Sequence, residues 1–453
     1  MHIHILGICG TFMGGIAAIA RQAGFRVTGS DRQVYPPMSG QLRALEIEVI
    51  EGFGVEQLDL EPDLIVIGNV MSRGMPIIEE ILNRKLPFCS GPQWLYDYVL
   101  KDRHVIAVSG THGKTTTTSM LTWILEHAGY EPGYLVGGVP ANFEVSARLG
   151  GAPFFVIEAD EYDTAFFNKQ AKFLNYRPTT LIINNIEFDH ADIYGDLDAI
   201  LWQFHQLLRM LPGNGNCVVR SDDANIGRLL ESGCWTPVTR FSAGQSQQAW
   251  SAEIQADRLV FSFDGELQGS CYWPHPGEYN VENALAALAA VTAAGVAVQA
   301  ALDGLGTFRG VKRRMELLGD FGGVRLYDDF AHHPTAIKRS LEGMQRFNSG
   351  NVLAVLEPRS NTMKMGTHAK QLSDALAPAD SCWVLQPEGI SWQLADVLSP
   401  ALEAHIEHST TAIVDAVVGA ANPGDAIVIM SNGSFNGIYD EFQAALVAKF
   451  AVK

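Results

Sequence analysis

The sequence has few basic residues for its size. Lysine and arginine number 32 against 50 aspartates and glutamates, which gives a formal net charge of -18 over 453 residues. Nucleic acids and anionic membranes are bound by clustered lysine and arginine, so this balance argues against both as partners. It also predicts that any anionic ligand is bound by local devices, such as a helix N-terminus or a single basic side chain.

The cysteines form no metal or redox motif. Six cysteines are scattered along the chain, and no two have the C-x-x-C spacing of zinc or thiol-redox sites. Reduced, unpaired thiols are typical of the cytoplasm. We therefore predict a cytoplasmic protein.

The sequence also lacks an apolar run that is typical of a signal peptide or a membrane span. Residues 3–20 carry no full charge, but four glycines interrupt them and no basic segment precedes them. The alanine-rich residues 283–302 are interrupted at Gly295, which predicts a buried helix that is broken there. We expect no membrane partner.

The chain does contain enough apolar residues to build several packed domains. Its 453 residues are 47% hydrophobic and 18% charged, which excludes a disordered chain and favours two or three domains. In the first hundred residues, short β-branched runs at 2–6, 25–28, 49–50 and 64–67 alternate with helical stretches. This alternation predicts a parallel sheet of the α/β class.

A glycine-rich loop follows the first predicted strand and opens the first predicted helix. It resembles the G-x-G-x-x-G loop that holds a pyrophosphate, although Cys9 stands at the second glycine. Asp31 follows about twenty residues later, at the end of the second strand, where such folds contact a ribose. A phosphate-bearing nucleotide and a purely structural glycine turn both fit this loop. The candidate binding residues here are Gly7, Gly10, Thr11, Met13, Gly14, Ser30 and Asp31.

A second glycine loop connects the β-branched run 105–108 to a helical pattern. Its backbone N–H groups and the helix N-terminus can hold nucleotide phosphates, with Lys114 on the outer phosphates and the Thr115 hydroxyl on Mg²⁺. Val108 stands where the common P-loop has glycine. A strand, turn and helix with a surface lysine is the alternative that this loop alone leaves open. The candidate phosphate-binding residues are Gly110, Thr111, His112, Gly113, Lys114 and Thr115.

Two further apolar strands end in polar clusters. Residues 153–157 lead into Glu158 and Asp160, and residues 180–183 lead into a polar stretch that ends at His190. One such residue alone is more often a helix cap or a satisfied core group. Two strand ends behind one phosphate loop favour a ligand site, because open α/β sheets bind ligands at the carboxyl ends of their strands. Carboxylates at that position suit Mg²⁺.

The rest of the central region has a weaker pattern. Residues 241–252 are polar, and residues 258–263 alternate like an antiparallel strand. We predict a peripheral insertion without chemistry there. Asn280 lies in a loop before the alanine-rich helix, as an N-cap or as a ligand contact.

The last third of the chain predicts another α/β domain. Its apolar runs at 324–327, 352–356, 382–385 and 426–430 alternate with helical stretches. The first run leads into a cluster of aspartates and histidines, and the second leads into a segment with alternating basic and polar residues.

Six motifs in this chain resemble those of the Mur ligases. They occur in order along essentially the whole chain, which makes the similarity highly specific. The motifs are G-T-H-G-K-T at 110–115, E-A-D-E at 158–161, N-I-E-F-D-H at 185–190, G-E-Y-N-V-E-N at 277–283, R-R-M-E at 313–316 and D-D-F-A-H-H-P at 328–334. The resemblance implies an α/β protein of three domains. These are a Rossmann-like UDP-sugar domain at 1–102, a central P-loop ATPase-type domain at 103–312 and a Rossmann-like domain at 313–453 that closes over the amine substrate.

The reaction implied by the resemblance is carboxylate activation by ATP. The lactyl carboxylate of UDP-N-acetylmuramate would attack the γ-phosphoryl group, and an amine would then displace phosphate from the acyl phosphate. The implied Mg²⁺ ligands are Thr115, Glu158 and His190. The implied nucleotide contacts outside the phosphate loop are Asn280, Arg314 and Asp329. The implied catalytic residues are Lys114, Glu158, His190, Arg314 and His332.

Other segments resemble the branch of the family that ligates a recovered murein tripeptide, at 35–39, 91–95, 356–366 and 430–433. The implied amine is L-alanyl-γ-D-glutamyl-meso-diaminopimelate, with Arg359 and Lys364 on its carboxylates. The alternatives are addition of free L-alanine to the same nucleotide and, more remotely, a non-catalytic nucleotide-binding protein or a dehydrogenase. We expect a monomer or a weak homo-oligomer.

The chain departs from the family in two places. Tyr279 stands where many relatives have histidine before Asn280. The carbamylated lysine of several relatives has no counterpart, so we predict none.

Overall fold

The computed structural model describes residues 1–32, 34, 38–191, 193–244, 249–386 and 392–450, with the fold of a mixed α/β protein. The chain divides into two compact units. The first consists of Met1–Phe188, Asp196–Trp273 and Glu282–Arg309, and the second consists of Asp189–Gly195, Pro274–Val281 and Gly310–Lys453. Within the described part of the chain, no helix has the length and apolar character needed to cross a membrane.

The first unit begins with a parallel sheet. Its strands are β1 (His2–Leu6), β2 (Arg26–Asp31), β3 (Glu48–Glu51), β4 (Leu64–Ile67) and β5 (Phe88–Ser90), in the order β3-β2-β1-β4-β5. Its helices are α1 (Thr11–Gln22), α2 (Met38–Ala44), α3 (Pro76–Asn83) and α4 (Gly91–Leu95). Every residue of β1 is buried, as expected for a central strand. The predicted strands 2–6 and 64–67 are confirmed, and those at 25–28 and 49–50 are each longer than predicted.

The first unit continues with a larger sheet. Its strands are β6 (His104–Ser109), β7 (Pro132–Leu135), β8 (Ala147–Arg148), β9 (Gly151–Glu158), β12 (Thr180–Ile183), β13 (Asn216–Arg220), β14 (Val238–Ser242), β15 (Trp250–Gln255), β16 (Arg258–Phe263) and β17 (Glu266–Tyr272). Their order is β17-β16-β15-β14-β13-β12-β6-β9-β7-β8, and a separate hairpin pairs β10 (Asp163–Ala165) with β11 (Asn168–Ala171). Its helices are α5 (Lys114–His127), α6 (Leu197–Leu208), α7 (Ala224–Glu231), α8 (Glu278–Ala293) and α9 (Val298–Leu305), although residues 278–281 of α8 belong to the second unit. The break predicted at Gly295 is confirmed, since this glycine has φ +95° between α8 and α9.

The region predicted as a peripheral insertion is instead the edge of this sheet. Strand β14 pairs in parallel with β13 and β15, and β16 and β17 continue the sheet in antiparallel pairing. Residues 245–248 of that region lie outside the described residues, as do residues 35–37 of the segment 35–39. The antiparallel strand predicted at 258–263 is confirmed as β16. The interpretation of the region as an insertion was wrong, because a polar composition does not reveal which strands share a sheet.

The first sheet and the large sheet pack closely through a glycine. A Cβ at Gly15 on α1 would lie 2.2 Å from Leu135 Cδ1 and 3.2 Å from Ala147 Cβ. Only a residue without a side chain allows α1 to approach β7 and β8 to this distance.

The second unit contains its own mainly parallel sheet. Its strands are β18 (Glu316–Phe321), β19 (Val324–Asp329), β20 (Val352–Leu356), β21 (Ser381–Leu385), β22 (Ala404–Glu407) and β23 (Ala426–Met430), in the order β18-β19-β23-β20-β21-β22. Its helices are α10 (Pro334–Phe347), α11 (Asn361–Lys364), α12 (Leu372–Leu376), α13 (Thr410–Ala420) and α14 (Ile438–Phe450). The four predicted strands are confirmed. The antiparallel strand β18 and the edge strand β22 were not predicted, because both are partly exposed and lack a continuous apolar run.

Candidate active site

The phosphate loop lies between β6 and α5 at the carboxyl end of the large sheet. Gly110 and Gly113 have φ of +120° and +81°, a backbone conformation that L side chains rarely adopt. A Cβ at Gly113 would lie 2.3 Å from Asn283 Oδ1. The loop is fixed from the next strand end, since His112 N donates to Asn185 Oδ1 at 2.8 Å and Thr111 N donates to the Asn185 carbonyl at 3.1 Å. The predicted strand, loop and helix are confirmed.

Lys114 is held by carboxylates rather than exposed to solvent. Its side chain is 12% exposed, and its Nζ lies 3.1 Å from Glu161 Oε2 and 3.5 Å from Asp160 Oδ1. Burial lowers the pKa of Lys114, but Glu161 and then Asp160 and Glu158 outweigh it, so the pKa is raised overall. The side chain is therefore an ammonium group at neutral pH, and such a charge beside a glycine loop can bind an anion.

Glu158, the last residue of β9, offers an oriented carboxylate beside the loop. Its Oε1 accepts the Thr115 hydroxyl at 3.1 Å, and its Oε2 accepts the backbone N–H of Gly137 at 2.7 Å. A hydroxyl and a carboxylate at adjacent positions are the hard oxygen ligands that Mg²⁺ takes next to nucleotide phosphates. The donor set of Thr115 and Glu158 therefore fits a magnesium ion.

Three buried side chains support the loop from behind. Thr117 on α5 donates to Asn283 Oδ1 at 3.1 Å, and Asn184 Nδ2 donates to Thr117 Oγ1 at 3.1 Å. Asn184 and Asn283 lie in polar motifs that were predicted from the sequence without a specific role for either residue, and Thr117 was not singled out. The signal that identifies them is contact with Gly113, whose missing side chain leaves room for Asn283 and Asn184.

A pocket of about 490 Å³ opens beside the N-terminal glycine loop. Gly7, Gly10, Thr11, Met13 and Asp31, five of the predicted residues, line it. The described lining also includes residues that were not predicted, among them Cys9, Phe12, Asn69 and Lys172.

Two predicted residues are not among the described lining residues of this pocket. Ser30 is fully buried. A Cβ at Gly14 would lie 2.3 Å from Met38 Sδ, so this glycine lets Met38 pack on α1.

Asp31, which lines the pocket, is bound to the glycine loop, because its Oδ2 accepts the Cys9 N–H at 2.9 Å.

In the second unit, the two adjacent arginines differ. Arg313 donates through Nε to Asp328 Oδ2 at 3.2 Å and through Nη2 to the carbonyls of Ser431 and Gly433 at 2.8 and 2.7 Å. The guanidinium carbons of Arg313 and Arg314 lie 5.3 and 4.6 Å from the centroid of the Phe330 ring. Both arginines thus lie near this aromatic ring, and Arg313 in addition connects strand ends.

Asp329 ends β19 in a buried position. The Ser340 hydroxyl donates to its Oδ2. Burial is the main cause that raises the pKa of Asp329, against this hydrogen bond and the Arg314 charge. Asn280, a predicted nucleotide contact, lies in the first turn of α8 rather than at its N-cap, and its Nδ2 donates to the Pro276 carbonyl at 2.7 Å.

Asp189, in the second unit, lies close to three histidines, His190, His332 and His333. Its Oδ1 accepts the His190 backbone N–H at 2.7 Å and the Thr362 hydroxyl at 3.2 Å. Burial raises the pKa of Asp189, but His190, with its N–H, and the two histidines 333 and 332 outweigh it and lower the pKa to about 2. His190 has φ +55°, and His332 Nδ1 lies 3.0 Å from the Phe330 carbonyl oxygen.

Arg359 and Lys364 lie beyond the end of β20. Arg359 is 46% exposed, and its Nη1 lies 3.7 Å from Glu357 Oε1, while Glu357 Oε2 accepts the Ser431 hydroxyl. Lys364 is exposed at the end of α11, and its carbonyl accepts the indole N–H of Trp392 at 3.3 Å. The partner Glu357 was not predicted, although it is only two residues before Arg359.

Comparison with family models gives three matches along the chain. Residues 2–103 match "Mur ligase family, catalytic domain", residues 108–291 match "Mur ligase middle domain" and residues 313–433 match "Mur ligase, glutamate ligase domain".

Individual proteins are similar over the full length. Two curated relatives are each called UDP-N-acetylmuramate--L-alanyl-gamma-D-glutamyl-meso-2,6-diaminoheptandioate ligase. That of Escherichia coli K12 is 50% identical over 452 residues, which cover 99% of both chains, and that of Haemophilus influenzae is 48% identical over 453 residues, 99% of this chain and all of the other. The crystal structure of a murein peptide ligase from Psychrobacter arcticus has a TM-score of 0.76 at 45% identity and covers 98% of both chains.

Proposed function

This chain belongs to the Mur ligase family, and we propose that it is the ATP-dependent ligase that joins L-alanyl-γ-D-glutamyl-meso-diaminopimelate to UDP-N-acetylmuramate. The observation that carries this proposal is similarity at about half identity along the whole chain to relatives named for that reaction. The phosphate loop with its buried lysine supports the use of ATP.

The first step activates a carboxylate. The lactyl carboxylate of UDP-N-acetylmuramate attacks the γ-phosphorus of ATP, the bond from this phosphorus to the bridging oxygen breaks, and ADP leaves. Because two anions react, positioning and charge neutralisation account for most of the catalysis. Lys114 supplies a positive charge to the outer phosphates of ATP. The backbone N–H groups of the loop donate hydrogen bonds to the phosphate oxygens.

The second step forms the amide. The amino group of the tripeptide attacks the acyl carbon, and inorganic phosphate leaves with the electrons of the carbon–oxygen bond. We assign Arg314 and Asp329 to the nucleotide, His332 to the neighbourhood of the reacting groups, and Arg359 with Lys364 to the carboxylates of the peptide.

Mg²⁺ would neutralise charge on the phosphates in the first step. Thr115 and Glu158 would hold one ion, because their oxygens already lie 3.1 Å apart beside the loop. By family resemblance, His190 would hold a second.

The proposal is tested by following the carboxylate oxygens of the sugar nucleotide with an isotope label. Enzyme, ATP, Mg²⁺, the tripeptide and UDP-N-acetylmuramate labelled with ¹⁸O in the lactyl carboxylate are incubated together, and the products are identified by mass spectrometry. The UDP-N-acetylmuramyl-tripeptide, ADP and ¹⁸O-labelled phosphate should form in equal amounts, since activation transfers one carboxylate oxygen to phosphate. Ligation without label in phosphate would exclude the acyl-phosphate route, and absence of ligation would exclude the proposed function.

A further inference from the structure

Lys172 brings a positive charge into the N-terminal pocket. Among the described residues that line this pocket, it is the only lysine or arginine. It follows β11 and begins a 3₁₀ turn, Lys172–Asn175, so it reaches the glycine loop from a distant part of the sequence. In a chain with a net charge of -18, an anionic ligand in this pocket depends on such a side chain.

The side chain of Lys172 is largely shielded from solvent, and its ammonium group contacts the described residues by an ion pair and by cation–π contacts rather than by a hydrogen bond. The side chain is 15% exposed, and its Nζ lies 5.6 Å from the ring centroids of both Phe12 and Tyr162. Its nearest carboxylate oxygen, Asp160 Oδ2, is 3.6 Å away, which is longer than a hydrogen bond. Because these contacts are longer than a hydrogen bond, the ammonium group can still donate to a ligand oxygen that enters the pocket.

Asp160 connects this lysine to the phosphate loop. Its Oδ2 faces Lys172 and its Oδ1 lies 3.5 Å from Lys114 Nζ. One carboxylate thus sets the spacing between two ammonium groups, one in the N-terminal pocket and one on the path of the ATP phosphates. Two ammonium groups placed on either side of Asp160 suit a reaction in which an anionic sugar nucleotide must approach the anionic phosphates of ATP.

We propose that Lys172 binds an anionic group of the sugar nucleotide, either a diphosphate oxygen or the lactyl carboxylate, and that Asp160 positions it. This inference rests on the proposed function, because it takes UDP-N-acetylmuramate as the ligand of the pocket. In this acidic protein, Lys172 would then be the single basic side chain that binds the anionic ligand of this pocket.

The test is isothermal titration calorimetry with Lys172→Met, which keeps most of the length of the side chain and removes its charge. The dissociation constant for UDP-N-acetylmuramate should rise roughly tenfold to a hundredfold, as for the loss of a charge-assisted hydrogen bond. Lys172→Arg should restore most of the affinity. The matched control is Lys169→Met on β11, whose side chain is 70% exposed and which should bind like the wild type.

A second titration separates binding from a structural role. The affinity for ATP should be unchanged in Lys172→Met, because Glu161 and Asp160 still hold Lys114. If ATP affinity fell as much as sugar-nucleotide affinity, Lys172 would be a structural residue and the inference would be wrong. Lys172→Gln replaces the methionine variant if the latter fails to fold.

UDP-N-acetylglucosamine distinguishes the two anionic groups, since it has the diphosphate but no lactyl carboxylate. Equal loss for both sugar nucleotides would assign Lys172 to the diphosphate, and loss for UDP-N-acetylmuramate alone would assign it to the carboxylate. Unchanged binding of both by Lys172→Met would overturn the inference while leaving the function intact. A wild-type protein that bound neither would overturn the proposed function and the inference together.

Discussion

The phosphate loop and the segment 359–364 are both assigned to anionic groups, but they are built differently. The loop offers backbone N–H groups and Lys114, whose side chain is 12% exposed. Buried side chains around Gly113 leave no space for a Cβ at that position. In the segment, Arg359 is 46% exposed, and its Nη1 lies 3.7 Å from Glu357 Oε1. We infer from this difference that phosphate chemistry depends on a rigid backbone, whereas the choice of amine depends on adjustable side chains.

The largest effect is expected at the rigid site. Lys114→Ala should reduce ATP-dependent ligation roughly a thousandfold or more, because it removes the positive charge that the loop supplies to the outer phosphates. Binding of UDP-N-acetylmuramate should change little. Steady-state ADP release and calorimetry measure the two quantities, and Lys101→Ala, an exposed lysine, serves as the control. Near wild-type ligation by Lys114→Ala would contradict the assignment of the loop.

Rigidity itself can be tested with two glycines of similar backbone geometry. Gly113 has φ +81°, and a Cβ there would lie 2.3 Å from Asn283 Oδ1, whereas Gly129 has φ +82° and a Cβ there would meet nothing within 4 Å. Gly129→Ala should cost only the left-handed strain, about 1 kcal/mol. Gly113→Ala should add a clash of about 1–3 kcal/mol and remove most of the ATP turnover.

Thermal unfolding and ADP release of the two glycine variants measure this difference. Equal losses of stability and activity would show that the surroundings of Gly113 do not restrict the loop, and the contrast between the two regions would then be wrong.

A smaller effect is expected at the adjustable site. Arg359→Ala should raise the KM for the tripeptide by an amount corresponding to about 1–3 kcal/mol, because a half-exposed guanidinium retains solvent screening. Arg359→Lys should restore part of it, since an ammonium group cannot form the two-pronged contact with a carboxylate. The KM for UDP-N-acetylmuramate should stay constant. An unchanged tripeptide KM in Arg359→Ala would remove this residue from the peptide site.

The smallest effect is a pH dependence within the second unit. Burial raises the pKa of Asp328 to about 6, against the lowering effect of Arg313. Because the folded-state pKa exceeds the ordinary value of about 3.9, the resulting stability is fully present below about pH 4 and is lost as pH rises through about 6. Asp328→Asn does not titrate. Relative to this variant, the wild type should therefore be about 1 kcal/mol more stable near pH 5.5 than near pH 7.5.

Differential scanning fluorimetry of both proteins at the two pH values measures this shift. A difference between wild type and Asp328→Asn that stays the same at both values would mean that Asp328 titrates normally and that burial is not its dominant influence.

The phosphate loop was predicted from a short, continuous stretch of the sequence. Gly110, Gly113 and Lys114 lie within five residues of one another, and their apolar strand and following helix are contiguous with them. The parallel sheet then brings Glu158 to the same edge, which the strand-end argument anticipated.

Features that depend on tertiary contact were not predicted. Asn283 supports Gly113 from 170 residues away in the chain, and Lys172 reaches a pocket whose glycine loop begins at Gly7. Lys172 lies in none of the six motifs, and the motif at 277–283 that ends at Asn283 does not reveal its contact with Gly113, because only the packed sheets bring these segments together. Strands β18 and β22 were not predicted for a related reason, since strands that are partly exposed lose the apolar signal.

The choice of amine separates the proposed ligase from its L-alanine-adding relatives, and a direct comparison of the two amines tests it. Wild-type enzyme with ATP, Mg²⁺ and UDP-N-acetylmuramate is given L-alanyl-γ-D-glutamyl-meso-diaminopimelate in one tube and free L-alanine in another, and kcat/KM is determined from ADP release. We expect efficient turnover with the tripeptide and little with L-alanine. Efficient turnover of L-alanine with no reaction of the tripeptide would contradict the proposed function and assign the chain to the L-alanine-adding branch of the family.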